Sequence, residues 1–194
     1  IELHIFMKLI SIVFSFKNEE KNIPELINRT VKVLTQINSW NYELIFVNDC
    51  STDNSEQILI KLQNDHPITI INMSRNFGVG PCVMAGFKQA KGDAIVYMDS
   101  DLQDPPELIK KLLEEHENGS DVVHTIRTKR LGESNTKMFV TNLAYKIINF
   151  FSDIPLPINA GDFKLISKRA LGKILELKEF RPYIRGLSVW VGFK

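Results

Sequence analysis

The chain has 194 residues, with 24 Lys and Arg against 23 Asp and Glu, and 44% of its residues are hydrophobic. That composition excludes a disordered chain, which has low apolar content and high net charge, and the charge balance excludes the basic excess of a nucleic-acid binder. The length fits one domain able to bury roughly 70% of its unfolded surface.

Residues 9–14 are apolar and β-branched, and predict a buried strand. Residues 24–37 carry Leu26, Ile27, Thr30, Val33, Leu34 and Ile37 at helical spacing. Residues 42–47 predict a second strand. Asp53 and Glu56 have the spacing of a capping box, opening a helix through Ile58, Leu59 and Leu62. A third strand over 68–73, a small-residue helix over 80–90 and a fourth strand over 94–98 follow. In Asp104-Pro105-Pro106-Glu107, Asp104 is expected as the N-cap, Pro105 at the first helical position and Glu107 at the capping-box position. Leu108, Ile109, Leu112 and Leu113 supply that helix's buried face, and residues 121–126 predict a fifth strand.

This alternation means an α/β fold with a parallel sheet and right-handed crossovers. Ligands bind outside the carboxyl ends of such strands. Beyond Arg127 the rhythm changes. Residues 127–134 are polar. Phe139, Leu143, Ile147 and Phe150 then share one helical column, and Val140, Ala144, Ile148 and Phe151 the next. Residues 154–157 break the stripe, 163–166 predict a strand, and 187–193 close the chain with Trp190.

Cys50 and Cys82 are too few for a disulfide scaffold or a zinc site, and read as small buried residues of a reducing compartment. No apolar run reaches the roughly 18 residues that span a bilayer. Residues 1–6 have neither a basic leader nor a small-residue cleavage site. Met7 reads as the natural start, with residues 1–6 an upstream extension. His66, His116 and His124 have no partners at metal-ligand spacing and read as structural or surface groups.

Acidic residues gather after the strands: Glu19 and Glu20 after the first, Asp49 after the second, Asp99 and Asp101 after the fourth. Carboxylates at neighbouring strand ends repel unless a cation or a ligand's donors compensate. Asp99, Asp101 and Gln103 form an all-oxygen set suited to Mg²⁺ or Mn²⁺.

Four pieces stand in order: Val47-Asn48-Asp49-Cys50-Ser51-Thr52-Asp53, Ser74-Arg75-Asn76-Phe77-Gly78, Gly92-Asp93-Ala94 and Asp99-Ser100-Asp101-Leu102-Gln103-Asp104-Pro105-Pro106-Glu107. With them the chain resembles the family-2 glycosyltransferases of the GT-A fold. Gly161-Asp162-Phe163-Lys164-Leu165 and Arg185-Gly186-Leu187-Ser188-Val189-Trp190-Val191-Gly192-Phe193 are similar to the polyprenyl-phosphate branch: bactoprenol glucosyltransferases and, more distantly, dolichol-phosphate mannose synthase. The chain departs from that pattern at Ser15 (usually Pro), Lys17 (usually Tyr), Val79 (often Lys) and Lys164 (often Arg).

The resemblance implies a GT-A (Rossmann-like), mostly parallel sheet flanked by helices, formed as one catalytic domain over 7–194 with 131–194 on the acceptor side. It implies an inverting transfer of a sugar, by default glucose, from a UDP-sugar to a polyprenyl phosphate such as undecaprenyl phosphate. Related chains continue into membrane helices, so this one is expected to be a soluble portion of an enzyme at the cytoplasmic face of the membrane. A homo-oligomer is among the expected partners.

Asp99, Asp101 and Gln103 would hold the metal, with Asp99 facing either the ion, its water shell or the ribose. Ser15, Glu19, Asp49 and Arg75 would bind the nucleotide. For Glu19 the competing reading is a first-turn acid favoured by the helix dipole, and for Arg75 a pairing with an acidic loop. The acceptor phosphate is already anionic and needs a cationic clamp more than a base. Arg127, Arg130 and Arg185 are the candidates, with Lys164 behind them; Lys168 reads as a solvated charge. Asp162 either bonds a sugar hydroxyl, orients an acceptor-binding Arg or serves a turn. The apolar stripe over 139–151 packs on the sheet or dips into a membrane surface.

The competing functions are a sugar-1-phosphate nucleotidyltransferase, a processive synthase, a family-2 enzyme with another donor or a saccharide acceptor, and a non-catalytic nucleotide-sugar-binding protein. The first lacks its Gly-rich loop after the first strand, and the second its Gln-x-x-Arg-Trp segment.

Overall fold

The structure is a computed structural model and describes residues 7–126 and 160–194. Its centre is a six-stranded sheet ordered β3-β2-β1-β4-β6-β5. The strands are β1 (Lys8–Phe16), β2 (Trp40–Asn48), β3 (Ile68–Asn72), β4 (Ala94–Asp99), β5 (Val122–Ile126) and β6 (Ala160–Ser167). The first four pair in parallel. β6 lies antiparallel between β4 and β5.

The sheet is thus mostly parallel, as expected, with β6 as the antiparallel member. The fifth strand does not join β4 directly, because a strand from later in the chain takes the place beside it. Local periodicity carries no information about such long-range pairing.

The strand pattern explains the layers. In β1, Ile10, Ile12, Phe14 and Phe16 face one side with Leu44, Phe46, Val96, Met98, Phe163 and Leu165. Against them pack α1 (Ile23–Leu34), α2 (Ser55–Leu62) and α4 (Ile109–Glu117). Phe14 stacks on Phe46 with ring centroids 4.6 Å apart. The opposite face presents Val13, Ile45, Val47, Ile95, Tyr97 and Ile166 to α3 (Val79–Gln89), α5 (Lys168–Glu176) and α6 (Ile184–Trp190). Both faces being covered is why these strands read as apolar runs.

Several helix boundaries differ from expectation for identifiable reasons. α1 stops at Leu34, where the Thr35 hydroxyl bonds back to the carbonyls of Val31 and Lys32. Asp53 and Glu56 do not form a capping box. Asp53 instead accepts from Ser55 and from the Glu20 amide, while Glu56 accepts from Asn72. Asp104 is not at the N-cap position either. A 3₁₀ turn, Pro106–Leu108, precedes α4, so Asp104 lies one residue outside and is buried. Glu107 is drawn away to Arg29, at 2.7 Å.

Cys82 is buried as expected, but Cys50 is exposed with a left-handed φ of 61°. No helix among the described residues is long and apolar enough to cross a membrane. The stripe over 139–151 and the polar run 127–134 lie outside the described residues.

Candidate active site

β1, β2 and β4 end at one sheet edge, with β5 ending and β6 beginning beside them. Two loops there are laced together. Asn18, itself at φ 59°, accepts from the Thr52 amide, and its own amide donates to Ser51 Oγ. The Glu19 amide donates to Ser55 Oγ, and the Glu19 carboxylate accepts from Asn22 at 2.6 Å. Glu20 accepts from the amide and the side chain of Asn54.

Asp49 lies one strand over and is 7% exposed. Its two oxygens accept from the backbone amides of Phe77, at 2.7 Å, and Gly78, at 2.9 Å. Gly78 has φ 87°, a conformation that glycine adopts without steric cost. Asp49 therefore fixes the loop entering α3. Arg75 on this loop lies 3.8 Å over the Phe77 ring and donates to the Asn76 carbonyl.

Asp99 closes β4 and is in register with Ser15 of β1. Tyr97, on the same face two residues earlier, donates its hydroxyl to Asp99 at 2.6 Å. Ser15 Oγ lies 3.2 Å from the Tyr97 hydroxyl, and the Ser15 carbonyl accepts from Ser100. Burial raises the Asp99 pKa. The Tyr97 hydrogen bond opposes that rise, and repulsion from Asp162, Asp101 and Asp104 adds to it. After Asp99 the chain turns through Leu102 at φ 60°, and Asp101 accepts from the Gln103 amide at 3.0 Å.

Among the described residues no three His, Cys, Asp or Glu side chains form a ready metal cluster. The donor chemistry nevertheless fits a hard divalent ion. Asp99 and Asp101 share one turn with the Gln103 amide side chain, and burial, with smaller repulsion from neighbouring carboxylates, pushes Asp99 upward, a cost that a cation relieves.

Across β4, the β6 residue Asp162 accepts from Arg185 of α6 at 2.9 Å. Arg185 is 17% exposed at its side chain, Asp162 40%. Lys164, two residues on, is fully buried, and burial depresses its pKa to about 8. Arg127 and Arg130 lie outside the described residues. Ser15, Asp49, Asp99, Asp101, Asp162, Lys164 and Arg185 thus share one end of the sheet, with Glu19 and Arg75 on its bordering loops.

Sequence reasoning missed Tyr97 as the group holding Asp99, and the burial of Lys164. The signal for the first was the period-2 spacing of Tyr97 and Asp99 on one strand face. The signal for the second was a lysine within the apolar run Phe163-Lys164-Leu165-Ile166.

Comparison with known proteins agrees with this geometry. The description "Glycosyl transferase family 2" matches residues 11–175. The chain is 44% identical over 185 residues to the uncharacterized glycosyltransferase YkcC of Bacillus subtilis, covering 95% of this chain and 57% of that protein. It is 36% identical over 186 residues to the prophage bactoprenol glucosyl transferase homolog of Escherichia coli K12, covering 95% of this chain and 60% of that protein. The chain thus spans just under three-fifths of the first of these relatives and three-fifths of the second.

Among solved structures, TarS 1-349 of S. aureus in complex with UDP-GlcNAc aligns with a TM-score of 0.57 at 23% identity, over 92% of this chain and 52% of that one. Glucosyl-3-phosphoglycerate synthase of Mycobacterium tuberculosis, in complex with Mn²⁺, UDP-glucose and phosphoglyceric acid, aligns with a TM-score of 0.58 at 19% identity, over 84% of this chain and 58% of that one. These likenesses carry the fold, which is the GT-A type. With a family match that spans most of its sequence, the chain belongs to glycosyl transferase family 2.

Proposed function

We propose that this chain is the catalytic part of an inverting hexosyltransferase moving a sugar, glucose by default, from a UDP-sugar to a polyprenyl phosphate at a membrane surface. The supporting observation is the opposition of charge at one sheet edge: Asp99 ends β4, Asp101 follows in the next turn, and Arg185 arrives from α6 beside Asp162. The identity to the bactoprenol glucosyl transferase homolog supports the glucose and lipid parts of the reading.

Asp99, Asp101 and the Gln103 side-chain oxygen would hold Mg²⁺ or Mn²⁺. When bound, the ion supplies Lewis-acid stabilisation of charge on the departing diphosphate. Ser15, Glu19, Asp49 and Arg75 border the nucleotide side. Asp49 acts there through the Phe77–Gly78 backbone that it already holds. Arg185 and Lys164, with Arg127 and Arg130, supply positive charge toward the acceptor phosphate, and Asp162 orients Arg185. A phosphate nucleophile carries its charge already, so the site needs an arginine clamp more than a proton acceptor.

The test is transfer of labelled sugar from UDP-glucose to undecaprenyl phosphate with Mn²⁺ or Mg²⁺, with UDP-galactose, UDP-N-acetylglucosamine and GDP-mannose as competitors. Asp101→Asn is expected to cut turnover by about 100-fold or more, as loss of one electrostatic stabiliser typically does. Unchanged turnover in Asp101→Asn would remove the metal role. Transfer to a soluble saccharide without lipid would replace the acceptor assignment.

A further inference from the structure

Lys164 is an anomaly of the fold. It sits in the middle of β6 with no exposed surface, between Phe163 and Leu165, which face the other side of the sheet. Among the described residues its Nζ has no hydrogen-bond partner. A buried ammonium without partners is costly, because neither water nor a protein acceptor replaces its hydration. Nothing in the packing requires it: a methionine has similar length and fills the same slot without charge.

Its surroundings give the anomaly a direction. Lys164 pairs in register with Tyr97 of β4 on one side and His124 of β5 on the other. Tyr97 spends its hydroxyl on Asp99. His124, neutral or cationic, can supply no counter-charge, and burial depresses its pKa to about 4, which keeps it neutral near pH 7. The opposite charges acting on Lys164 are Asp162 and, more weakly, Asp99, with Arg185 opposing them. Those two carboxylates repel each other. Asp162 leads Lys164 by two residues on the same strand face, as Asp99 follows Tyr97. Two polar rows therefore cross the sheet: Ser15, Asp99 and Asp162 at the edge, and Tyr97, Lys164 and His124 beneath.

We propose that Lys164 is a positioning residue whose buried ammonium is the shared counter-charge beneath Asp99 and Asp162, holding the two carboxylates side by side in one crevice. Its field weakens the repulsion between them without occupying an oxygen of either, leaving those oxygens to the ion, the sugar and Arg185. The fold bears the desolvation cost and the site receives the benefit. This inference rests on the transferase reading for its activity arm and on folding physics alone for its stability arm.

The experiment compares wild type, Lys164→Met and Lys164→Arg by thermal unfolding and by donor turnover. Lys164→Met is expected to melt below wild type, because Asp99 and Asp162 lose their shared counter-charge, and by less in an Asp162→Asn background than in the wild-type background. Its turnover is expected to fall about tenfold or more, chiefly in kcat, tenfold being a small barrier change. Lys164→Arg keeps the charge and is expected to recover most of the turnover. An equal loss of melting temperature from Lys164→Met in the wild-type and Asp162→Asn backgrounds would make the lysine a packing residue and overturn the inference, as would turnover within twofold of wild type. If wild type turns over no nucleotide sugar, the transferase reading fails by itself, and the melting comparison still decides the role of Lys164.

Discussion

Replacing Asp49 with Asn should dismantle the approach to α3. Asp49 is 7% exposed, and each of its oxygens accepts one backbone amide, from Phe77 and from Gly78. Asn keeps one acceptor but turns an NH₂ donor toward the other amide. One charge-assisted bond is then lost and a second weakened. Bonds to a charged group contribute about 1.5–3 kcal/mol each, so the loss is about 2–4 kcal/mol after partial rehydration. In a chain of this length each kcal/mol lowers Tm by roughly 2–4 °C, which predicts a fall of about 5–15 °C. The assay pairs thermal unfolding with hydrogen exchange at the Phe77 and Gly78 amides, which should lose protection before the β1–β2 core does. A Tm unchanged in Asp49→Asn, with both amides still protected, would refute the reasoning.

Two further perturbations test the packing and the charges away from the site. In Gly86→Ala the new Cβ would fall 2.4 Å from Val13 Cγ1 and 3.2 Å from Val47 Cγ2, under α3. Overpacking of this kind costs about 1–3 kcal/mol, and Gly86→Ala combined with Val13→Ala should recover part of the lost Tm; no recovery would place the strain elsewhere. The Arg169 guanidinium holds the buried Asp121 carboxyl below its usual range, helped by the Ser167 hydroxyl and opposed by burial. Its stabilisation is present above the unfolded-state value of about 3.9 and is lost as pH falls through the lower folded value. Asp121→Asn should therefore melt below wild type at pH 7, with the gap closing as pH drops below about 4. A gap independent of pH would contradict the ionic origin.

The alternation of apolar runs and amphipathic stretches determined the strands and helices before Ile126, since both signals depend on neighbours a few residues apart. It determined equally that Asp49, Asp99 and Asp101 stand at strand ends, because the strand gives the direction in which the chain leaves the sheet. Local patterns misled where a distant partner outbid them. Glu107 has the spacing of a capping-box acid, yet Arg29 of α1 takes its carboxylate. Asp53 has the spacing of an N-cap, yet it ties the Glu20 amide to Ser55.

Only the tertiary structure decided that β6 enters antiparallel between β4 and β5. That insertion brings Asp162 beside Asp99, sets Lys164 between Tyr97 and His124, and lets Arg185 reach Asp162. The residue types were legible as candidates from length, charge and order along the chain. Their mutual electrostatics depended on which strand lies next to which, and that is fixed by pairing between segments more than sixty residues apart.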